Sequence, residues 1–129
     1  MKLLLDTHIL LWALNNKLDE KITKLINDRS NTIYVSIASI WEVELKHHKK
    51  PQLMPISGEQ LLHAVINSDY QILNIKINHF KEISNALHQE IHADPYDHAL
   101  VAAAISEKMK LITHDKQILN YQNLDYIYC

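Results

Sequence analysis

The amino-acid sequence predicts an α/β fold, a three-layer α/β/α sandwich around a five-stranded parallel sheet. Short apolar or β-branched runs of strand type alternate with longer stretches whose apolar residues recur at helical spacing. This alternation is typical of βαβ units with right-handed crossovers, which cover a parallel sheet with helices. The 129 residues, 47% of them apolar, suit a single domain over residues 1–129 with a sizeable core.

Composition narrows the class of protein. The formal net charge of −2 shows no overall basic footprint of a nucleic-acid binder, although a local basic patch can suffice. Cys129 is the only cysteine, so no internal disulfide is possible, and without a signal-peptide pattern we expect a cytoplasmic protein. No apolar run approaches the ~20 residues that a membrane span needs, so we expect no membrane partner.

The first half of the chain is predicted to form two strands and four helical segments. Ser39 is assigned as the N-cap of the third segment, which Pro51 ends. Ser57, with Gln60 three residues later, matches a capping box at the start of the fourth. The predicted elements are a strand over Lys2–Leu5, helices over Ile9–Leu14 and Asp19–Asn27, a strand over Thr32–Val35, a helical region over Ser36–Lys50 and a helix from Ser57 to Ser68.

The second half is predicted to hold three strands and two main helices. Asp94 occupies an N-cap position, Pro95 the first helical position, and Asp97 lies three residues past the cap. The following run, Ala99–Ile105, is apolar nearly all round, so this helix is predicted to be buried against the sheet. The remaining predictions are a strand over Tyr70–Ile75, a helix over Asn78–His88 with Phe80, Ile83 and Leu87 inward, a break at His92-Ala93, a strand over Lys110–Thr113, a short helical turn over Lys116–Leu119 and a strand over Tyr126–Tyr128.

Four carboxylates are predicted to converge at one edge of the sheet. Asp6 and Asp115 both follow apolar strands, and the carboxyl ends of parallel strands share the edge where open α/β sheets bind ligands. Glu42 lies about two turns into the helix that leaves the second strand. Asp97 lies in the first turn of the helix that leads back to the fourth strand.

Clustered carboxylates point to a cation. They raise one another's pKa unless positive charge lies between them, and hard oxygen ligands favour Mg²⁺ or Mn²⁺. No glycine follows Asp6, which excludes a phosphate-cradling loop, and the absence of a cysteine pair or an H-E-x-x-H motif argues against zinc. A water held by such an ion can attack a phosphodiester in line.

Each acid also has a simpler interpretation. Asp97 can be the acidic partner of Asp94 in a capping arrangement, and Asp115 can cap the turn that follows it. Glu42 can form a surface ion pair with Lys46, four residues away, worth ~0.3–0.5 kcal/mol. Asp6 can cap the helix at Ile9. The hypothesis of a metal site therefore depends on the joint placement of the four acids.

Neighbouring polar residues have two interpretations as well. The hydroxyls of Thr7, Ser39 and Thr113 can bond the acids or a water, or serve in local capping and turns. The run from Lys46 to Lys50 is the most basic stretch of the chain. Its lysines can contact RNA phosphate, with Lys46, Lys49 and Lys50 as the candidates, or can complement the dipole at a solvated helix end.

These residues resemble a known family. The matching pieces span nearly the whole chain and are Leu3-Leu4-Leu5-Asp6-Thr7-His8 with Leu11-Trp12-Ala13, Val35-Ser36 with Ser39-Ile40-Trp41-Glu42 and Lys46, Asp94-Pro95-Tyr96-Asp97 with Leu100-Val101-Ala102, and Leu111-Ile112-Thr113-His114-Asp115. In these pieces the chain looks like a PIN-domain ribonuclease, and specifically like a VapC-type toxin of a bacterial toxin–antitoxin pair.

The resemblance implies a PIN-like five-stranded parallel sheet and Mg²⁺- or Mn²⁺-dependent cleavage of RNA. It places the catalytic and metal-binding cluster on Asp6, Glu42, Asp97 and Asp115, whereas Asp94 is assigned to helix capping. It also implies a homodimer and a small VapB-like antitoxin that inserts a segment into the active-site groove. The chain departs from related sequences after Lys46, where a glycine is common and His47-His48-Lys49-Lys50-Pro51 stands here.

Two other functions remain as alternatives. A non-catalytic PIN-fold module that binds RNA or a partner would keep the fold, but a non-catalytic descendant could lose the acids. A phosphoacceptor receiver domain also has an acidic Mg²⁺-binding edge, but it needs an aspartate after the third strand. Residues 72–75, Ile-Leu-Asn-Ile, offer none.

Overall fold

The structure is a computed structural model that describes residues 1–91 and 94–129. The predicted break at His92-Ala93 lies outside the described residues. The strands are β1 (Lys2–Leu5), β2 (Thr32–Ser36), β3 (Gln71–Leu73), β4 (Lys110–Thr113) and β5 (Tyr126–Tyr128). The α-helices are α1 (Thr7–Leu14), α2 (Glu20–Asn27), α3 (Ile37–Lys49), α4 (Gly58–Ile66), α5 (Phe80–His88) and α6 (Pro95–Ser106). Single 3-10 turns cover Ile77–His79 and Ile118–Asn120.

All five strands form one parallel sheet in the order β3-β2-β1-β4-β5, which confirms the predicted fold class. The central strand is β1, whose Leu5 pairs with Val35 of β2 and Ile112 of β4. The chain moves outward from β1 through β2 and β3, and then returns to the other side of β1. The sheet therefore has its switch point between the carboxyl ends of β1 and β4, where open α/β sheets bind ligands.

Apolar side chains divide between the two faces of the sheet. Because successive strand residues point to opposite faces, Leu3 and Leu5 enter one core cluster and Leu4 enters the other. The first cluster is covered by α1 to α4 and the second by α5 and α6. These layers confirm the predicted α/β/α sandwich. Its sheet order also separates it from the flavodoxin-like order 2-1-3-4-5, since β3 here lies at the edge.

Helix starts follow the predicted capping chemistry with one correction. Ser57 and Gln60 form the predicted capping box, with mutual bonds of 2.9 and 3.1 Å. The N-cap of α3 is Ser36, whose Oγ accepts the Ala38 N–H at 3.0 Å. The assignment of the cap to Ser39 was therefore wrong. The reason is that β2 passes into α3 without a loop, so the last strand residue takes the cap position.

The predicted inward face of α5 was also wrong in part. Phe80 is 69% exposed and Leu87 is 57% exposed, whereas Ala86 is buried. The buried side of this segment is the stripe of His79, Ile83 and Ala86, and Phe80 and Leu87 lie about a quarter turn from it. A small residue at the contact lets α5 lie close to the alanines of α6. The apolar pattern alone did not distinguish the two stripes.

Smaller differences concern element ends. Helix α1 begins at Thr7 instead of Ile9, and β3 is shorter than its predicted range Tyr70–Ile75. The helical turn predicted at Lys116 begins at Ile118. Within residues 1–91 and 94–129, none of the helices has the length and apolar character needed to cross a membrane.

Candidate active site

The four predicted carboxylates lie around one small cavity at the switch point of the sheet. Its volume is about 90 Å³, enough space for an ion with a few waters. Its walls come from the ends of β1 and β4 and from α1, α3 and α6. The lining residues are Asp6, Thr7, His8, Glu42, Lys46, Asp94, Asp97 and Asp115.

Asp6 is held firmly at the end of β1. Its Oδ1 accepts the Ile9 N–H at 3.0 Å, so it caps α1, and its Oδ2 accepts the Thr113 hydroxyl at 2.5 Å. Burial raises the pKa of this carboxyl, and the bonds from Thr113 and Ile9 oppose the rise. Asp6 is therefore a helix cap, and it also lines the cavity.

Glu42 is buried, and both of its carboxylate oxygens have partners. Oε1 lies 2.7 Å from the Thr7 hydroxyl, and Oε2 lies 2.5 Å from Lys46 Nζ. The Thr7 hydroxyl is also 3.0 Å from Ser39 Oγ. Because an ionised carboxylate only accepts, the single Thr7 proton goes to Glu42 and Ser39 supplies the other bond. Thr7 and Ser39, both predicted as supporting residues, thus hold Glu42 in place.

Asp97 carries the clearest electrostatic signature in the site. Burial, together with repulsion from Asp94, Glu42, Asp115 and Asp6, raises its pKa from 3.8 to about 7. Its backbone N–H is capped by Asp94 Oδ1 at 3.1 Å, as the sequence predicted. Among the described residues none donates a hydrogen bond to its carboxylate. The charge of this carboxylate is therefore not offset by a hydrogen bond from any residue that the structure describes.

Thr113 links Asp115 to the rest of the site. The Asp115 N–H donates to Thr113 Oγ1 at 3.0 Å, and Thr113 in turn donates to Asp6. Asp115 Oδ1 accepts the Gln117 N–H at 2.9 Å, so the predicted role in the following turn is present as well. Its side chain also lines the cavity.

The donor set fits a hard divalent cation, although the site is not arranged around one. Carboxylate oxygens from Asp6, Glu42, Asp97 and Asp115 are the ligands that Mg²⁺ and Mn²⁺ prefer. Mutual repulsion at Asp97 is the kind that such an ion relieves. Within residues 1–91 and 94–129, however, no three His, Cys, Asp or Glu side chains lie close enough together to hold one ion. Binding would require side-chain movement.

Two residues that the sequence interpretation did not place at the cavity also line it. Asp94 was assigned to capping alone, but it caps α6 and lines the cavity as well. His8 follows Asp6 by two residues, and this spacing was the available signal. An aromatic row then leads away from His8: its ring centroid is 6.1 Å from that of Trp12. The row continues through His114, 5.1 Å from Trp12, to Tyr128, which stacks on His114 at 5.7 Å.

The basic stretch borders the same cavity. Lys49 and Lys50 line a neighbouring pocket of about 270 Å³ with Leu53 and Met54. Lys46 lines both this pocket and the acidic cavity. Of the three lysines predicted to contact RNA, Lys46 therefore lies beside the carboxylates and is ion-paired with Glu42, whereas Lys49 and Lys50 line the neighbouring pocket.

A larger cavity is elsewhere. It has a volume of about 880 Å³ and lies at the amino edge of the sheet, between the start of β2 and the segment before β3. Arg29 and Asp69 are among its lining residues, but none of the predicted site residues is. The candidate site is therefore chosen by the convergence of titratable groups and not by the size of its cavity.

The sequence matches the family model of the PIN domain over residues 3–124. The chain belongs to the PIN-domain family. PIN domains are generally nucleases that use divalent metal ions, so the family agrees with the acidic cavity described above. No curated protein sequence matches the chain.

Solved structures share the PIN fold of this chain. VapBC2 from Rickettsia felis, solved with a bound DNA fragment from its promoter, has a TM-score of 0.77 at 20% sequence identity. The match covers 100% of this chain and 99% of that chain. DNA-bound VapBC from Salmonella typhimurium has a TM-score of 0.73 at 16% sequence identity, and the match covers 99% of this chain and 98% of that chain. VapBC-5 from Mycobacterium tuberculosis, a member of the VapBC family of toxin-antitoxin systems, has a TM-score of 0.66 at 14% sequence identity. The match covers 99% of this chain and 98% of that chain. At these identities the likeness establishes the fold.

Proposed function

We propose that this chain, acting as a single PIN domain over residues 1–129, is a metal-dependent endoribonuclease and the toxin of a toxin–antitoxin pair. The observation that carries the proposal is the cavity at the switch point. Side chains from distant parts of a PIN-domain chain meet there, and burial together with their mutual repulsion raises the pKa of Asp97 to about 7. Carboxylates crowded together in this way are typical of a site that binds a cation.

Asp6, Glu42, Asp97 and Asp115 are the residues that would hold Mg²⁺ or Mn²⁺. When bound, such an ion supplies Lewis acidity and an activated water for in-line attack on a phosphodiester. The chain's own hydroxyls keep the ligands in place: Thr113 fixes Asp6, and Thr7 with Ser39 fixes Glu42.

RNA is the proposed substrate because the surroundings of the cavity suit a single strand. Lys46, Lys49 and Lys50 provide positive charge on one side for phosphate. The row of His8, Trp12, His114 and Tyr128 provides aromatic surface on which unpaired bases can stack. A strand whose phosphate lies at the cavity could contact both.

A small VapB-like antitoxin and a second copy of the chain are the proposed protein partners. The similar structures from Rickettsia felis and Salmonella typhimurium are VapBC complexes, and they match this chain over nearly its full length. Large apolar side chains are exposed here, including Ile77 at 97%, Leu53 at 75% and Trp41 at 62%. Exposed apolar residues of this size are suited to protein interfaces.

Cleavage of a single-stranded RNA by the purified chain tests the nuclease. We expect cleavage in Mn²⁺ or Mg²⁺, none in excess EDTA, and loss of cleavage in Asp97→Asn. Asp69→Asn is the matched control, because Asp69 lies at the opposite edge of the sheet. Undiminished cleavage in EDTA, or in Asp97→Asn, would show that the mechanism is wrong. Tight RNA binding without cleavage in Mn²⁺ would favour the non-catalytic binding module.

The neighbouring gene tests the toxin role. We expect a small adjacent reading frame that encodes a DNA-binding antitoxin. Co-expression of its product should rescue growth that the toxin inhibits, and the two proteins should co-purify. Growth inhibition that the adjacent product does not relieve would contradict this part of the proposal.

A further inference from the structure

Lys46 occupies an unusual position for a surface lysine. Its Nζ lies 2.5 Å from Glu42 Oε2, one helical turn away on α3, and its side chain is 47% exposed whereas that of Glu42 is 6% exposed. The lysine therefore reaches from the surface to a buried carboxylate. It lines the acidic cavity directly.

The surroundings keep this ammonium charged. Burial lowers the pKa of Lys46, but the bond and charge of Glu42, with the charges of Asp94 and Asp97, outweigh that effect and raise the pKa. Among the described residues that line the cavity, Lys46 supplies the one permanent positive charge; the remaining ionisable groups there are His8 and carboxylates. It is thus the internal counter-ion of the cluster.

Glu42 has no free carboxylate oxygen while this pair is made. Oε1 is bonded to Thr7, and Oε2 is bonded to Lys46. A cation that uses Oε2 meets the Lys46 ammonium at the same oxygen and is repelled by it. This occupation agrees with the lack of three described side chains arranged to hold an ion.

We propose that Lys46 occupies part of the cation site in the metal-free protein and is exchanged for the divalent cation when the cation binds. The inference rests on the proposed metal-dependent function and concerns the same site. After the exchange, the ammonium is free to turn towards Lys49 and Lys50, with which Lys46 lines the neighbouring pocket. There it can meet a substrate phosphate. Lys46 is a positioning residue for Glu42 in one state and a phosphate contact in the other.

Binding of Mn²⁺ to the full chain tests the exchange without any measurement of cleavage. Calorimetry and the electron paramagnetic resonance of free Mn²⁺ give the Kd for the wild-type chain and for Lys46→Met, which keeps most of the length of the side chain and removes its charge. Because the competing charge is gone, we expect Lys46→Met to bind Mn²⁺ about tenfold more tightly. We also expect its Tm in EDTA to fall and its Mn²⁺-induced rise in Tm to exceed that of the wild type.

Lys49→Met is the matched control for nearby charge. Lys49 belongs to the same basic stretch but does not line the acidic cavity. The Kd of the Lys49→Met variant for Mn²⁺ should therefore remain within about twofold of the wild-type value. An equal gain in affinity in both variants would overturn the exchange, because general electrostatics would then account for it. Unchanged or weaker Mn²⁺ binding by Lys46→Met would overturn it as well.

A second measurement uses the wild-type chain, so it does not depend on the stability of a variant. The ammonium NMR signal of Lys46 should be protected in the metal-free protein, and saturating Mg²⁺ should move it to the shift and exchange rate of the exposed lysines. If saturating Mg²⁺ leaves the chemical shift and the exchange rate of the Lys46 ammonium unchanged, the proposed exchange is wrong.

Asp97→Asn separates failure of this inference from failure of the proposed function. If Asp97→Asn loses Mn²⁺ binding while Lys46→Met binds like the wild type, the metal site stands and only the exchange is wrong. If the wild-type chain binds no Mn²⁺, both are wrong.

Discussion

The Thr113 hydroxyl donates a 2.5 Å hydrogen bond to Asp6 Oδ2, although 107 positions separate the two residues. Thr113 ends β4 and Asp6 follows β1, and the parallel pairing of these strands puts the two side chains at the same sheet edge. Thr113 is fully buried. The bond therefore fixes one carboxylate of the cavity across the switch point of the sheet.

Replacing Thr113 tests what this bond does. Thr113→Val keeps the shape and removes the donor that lowers the pKa of Asp6, so that pKa should rise further. If cleavage needs ionised Asp6, the acidic limb of kcat/KM against pH moves to higher pH. Thr113→Ser keeps a donor and should retain the wild-type profile. Superimposable profiles for the valine and serine variants would show that the bond does not tune Asp6.

Asp6→Asn should remove RNA cleavage and leave the fold intact. Asparagine caps helices about as well as aspartate, so α1 keeps its cap while the site loses a charged ligand. We expect at least about a 100-fold fall in kcat, with an unchanged circular dichroism spectrum. Asp19→Asn is the matched control, because Asp19 caps α2 in the same way through the Ile22 N–H at 2.8 Å. A comparable loss in Asp19→Asn would attribute the effect to capping.

The raised pKa of Asp97 predicts a pH dependence of stability in EDTA. Between pH 3.8, its ordinary value, and about 7, the folded carboxyl binds a proton that the unfolded chain has released. The free energy of unfolding therefore falls as pH rises through this range, and it levels off above pH 7. Asp97→Asn lacks the contribution and should be more stable than the wild type at pH 8 by about 1–2 kcal/mol, after allowance for solvent screening. Below pH 3.8 the difference should vanish.

Denaturant titrations of both proteins across this pH range measure the effect. Saturating Mn²⁺ should reverse the order at pH 8, since only the wild-type chain gains binding energy from the ion. Parallel stability curves for the two proteins in EDTA would contradict the electrostatic account of Asp97.

Removing Lys49 and Lys50 should weaken RNA binding without changing the chemical step. In an Asp6→Asn background, which prevents cleavage, Lys49→Ala with Lys50→Ala should lower the slope of log Kd against log salt by about 1.4, as expected for two phosphate contacts on a single strand. The pair Lys17→Ala and Lys21→Ala, exposed residues outside the basic stretch, should keep the wild-type slope. An unchanged slope in the first pair would exclude phosphate contact there.

Gly58→Ala should destabilise the protein because α4 starts close against α3. A Cβ at this position would lie 2.6 Å from the Glu44 Cβ and 2.8 Å from the Ile40 carbonyl oxygen. Relief requires a backbone shift, which costs about 1–3 kcal/mol. Asn85→Ala, at an exposed helical position, serves as the control and should change the free energy of unfolding by less than about 0.5 kcal/mol. Equal thermal midpoints for the two variants would contradict the close approach.

Local chemistry explains which parts of the fold were predictable. The apolar run of β1, the capping box at Ser57 and the Asp94-Pro95 start of α6 are each determined within a few residues, and the structure confirms them. The inward face of α5 and the cap of α3 were mistaken, because each depends on a neighbouring element. Ala86 faces inward only because α6 lies there, and Ser36 is a cap only because β2 runs straight into α3.

The same division holds at the candidate site. It was predictable from the residues alone that Asp6 and Asp115 follow parallel strands and that Glu42 and Asp97 lie on helices near the same edge, because strand ends and helix starts are set by local periodicity and capping. The pairing of these groups was not predictable: Thr113 bonds Asp6 across two strands, and Lys46 shares a cavity with Asp97. Hydrogen bonds and charge interactions act over a few ångströms, and the packing of distant segments sets which groups come that close.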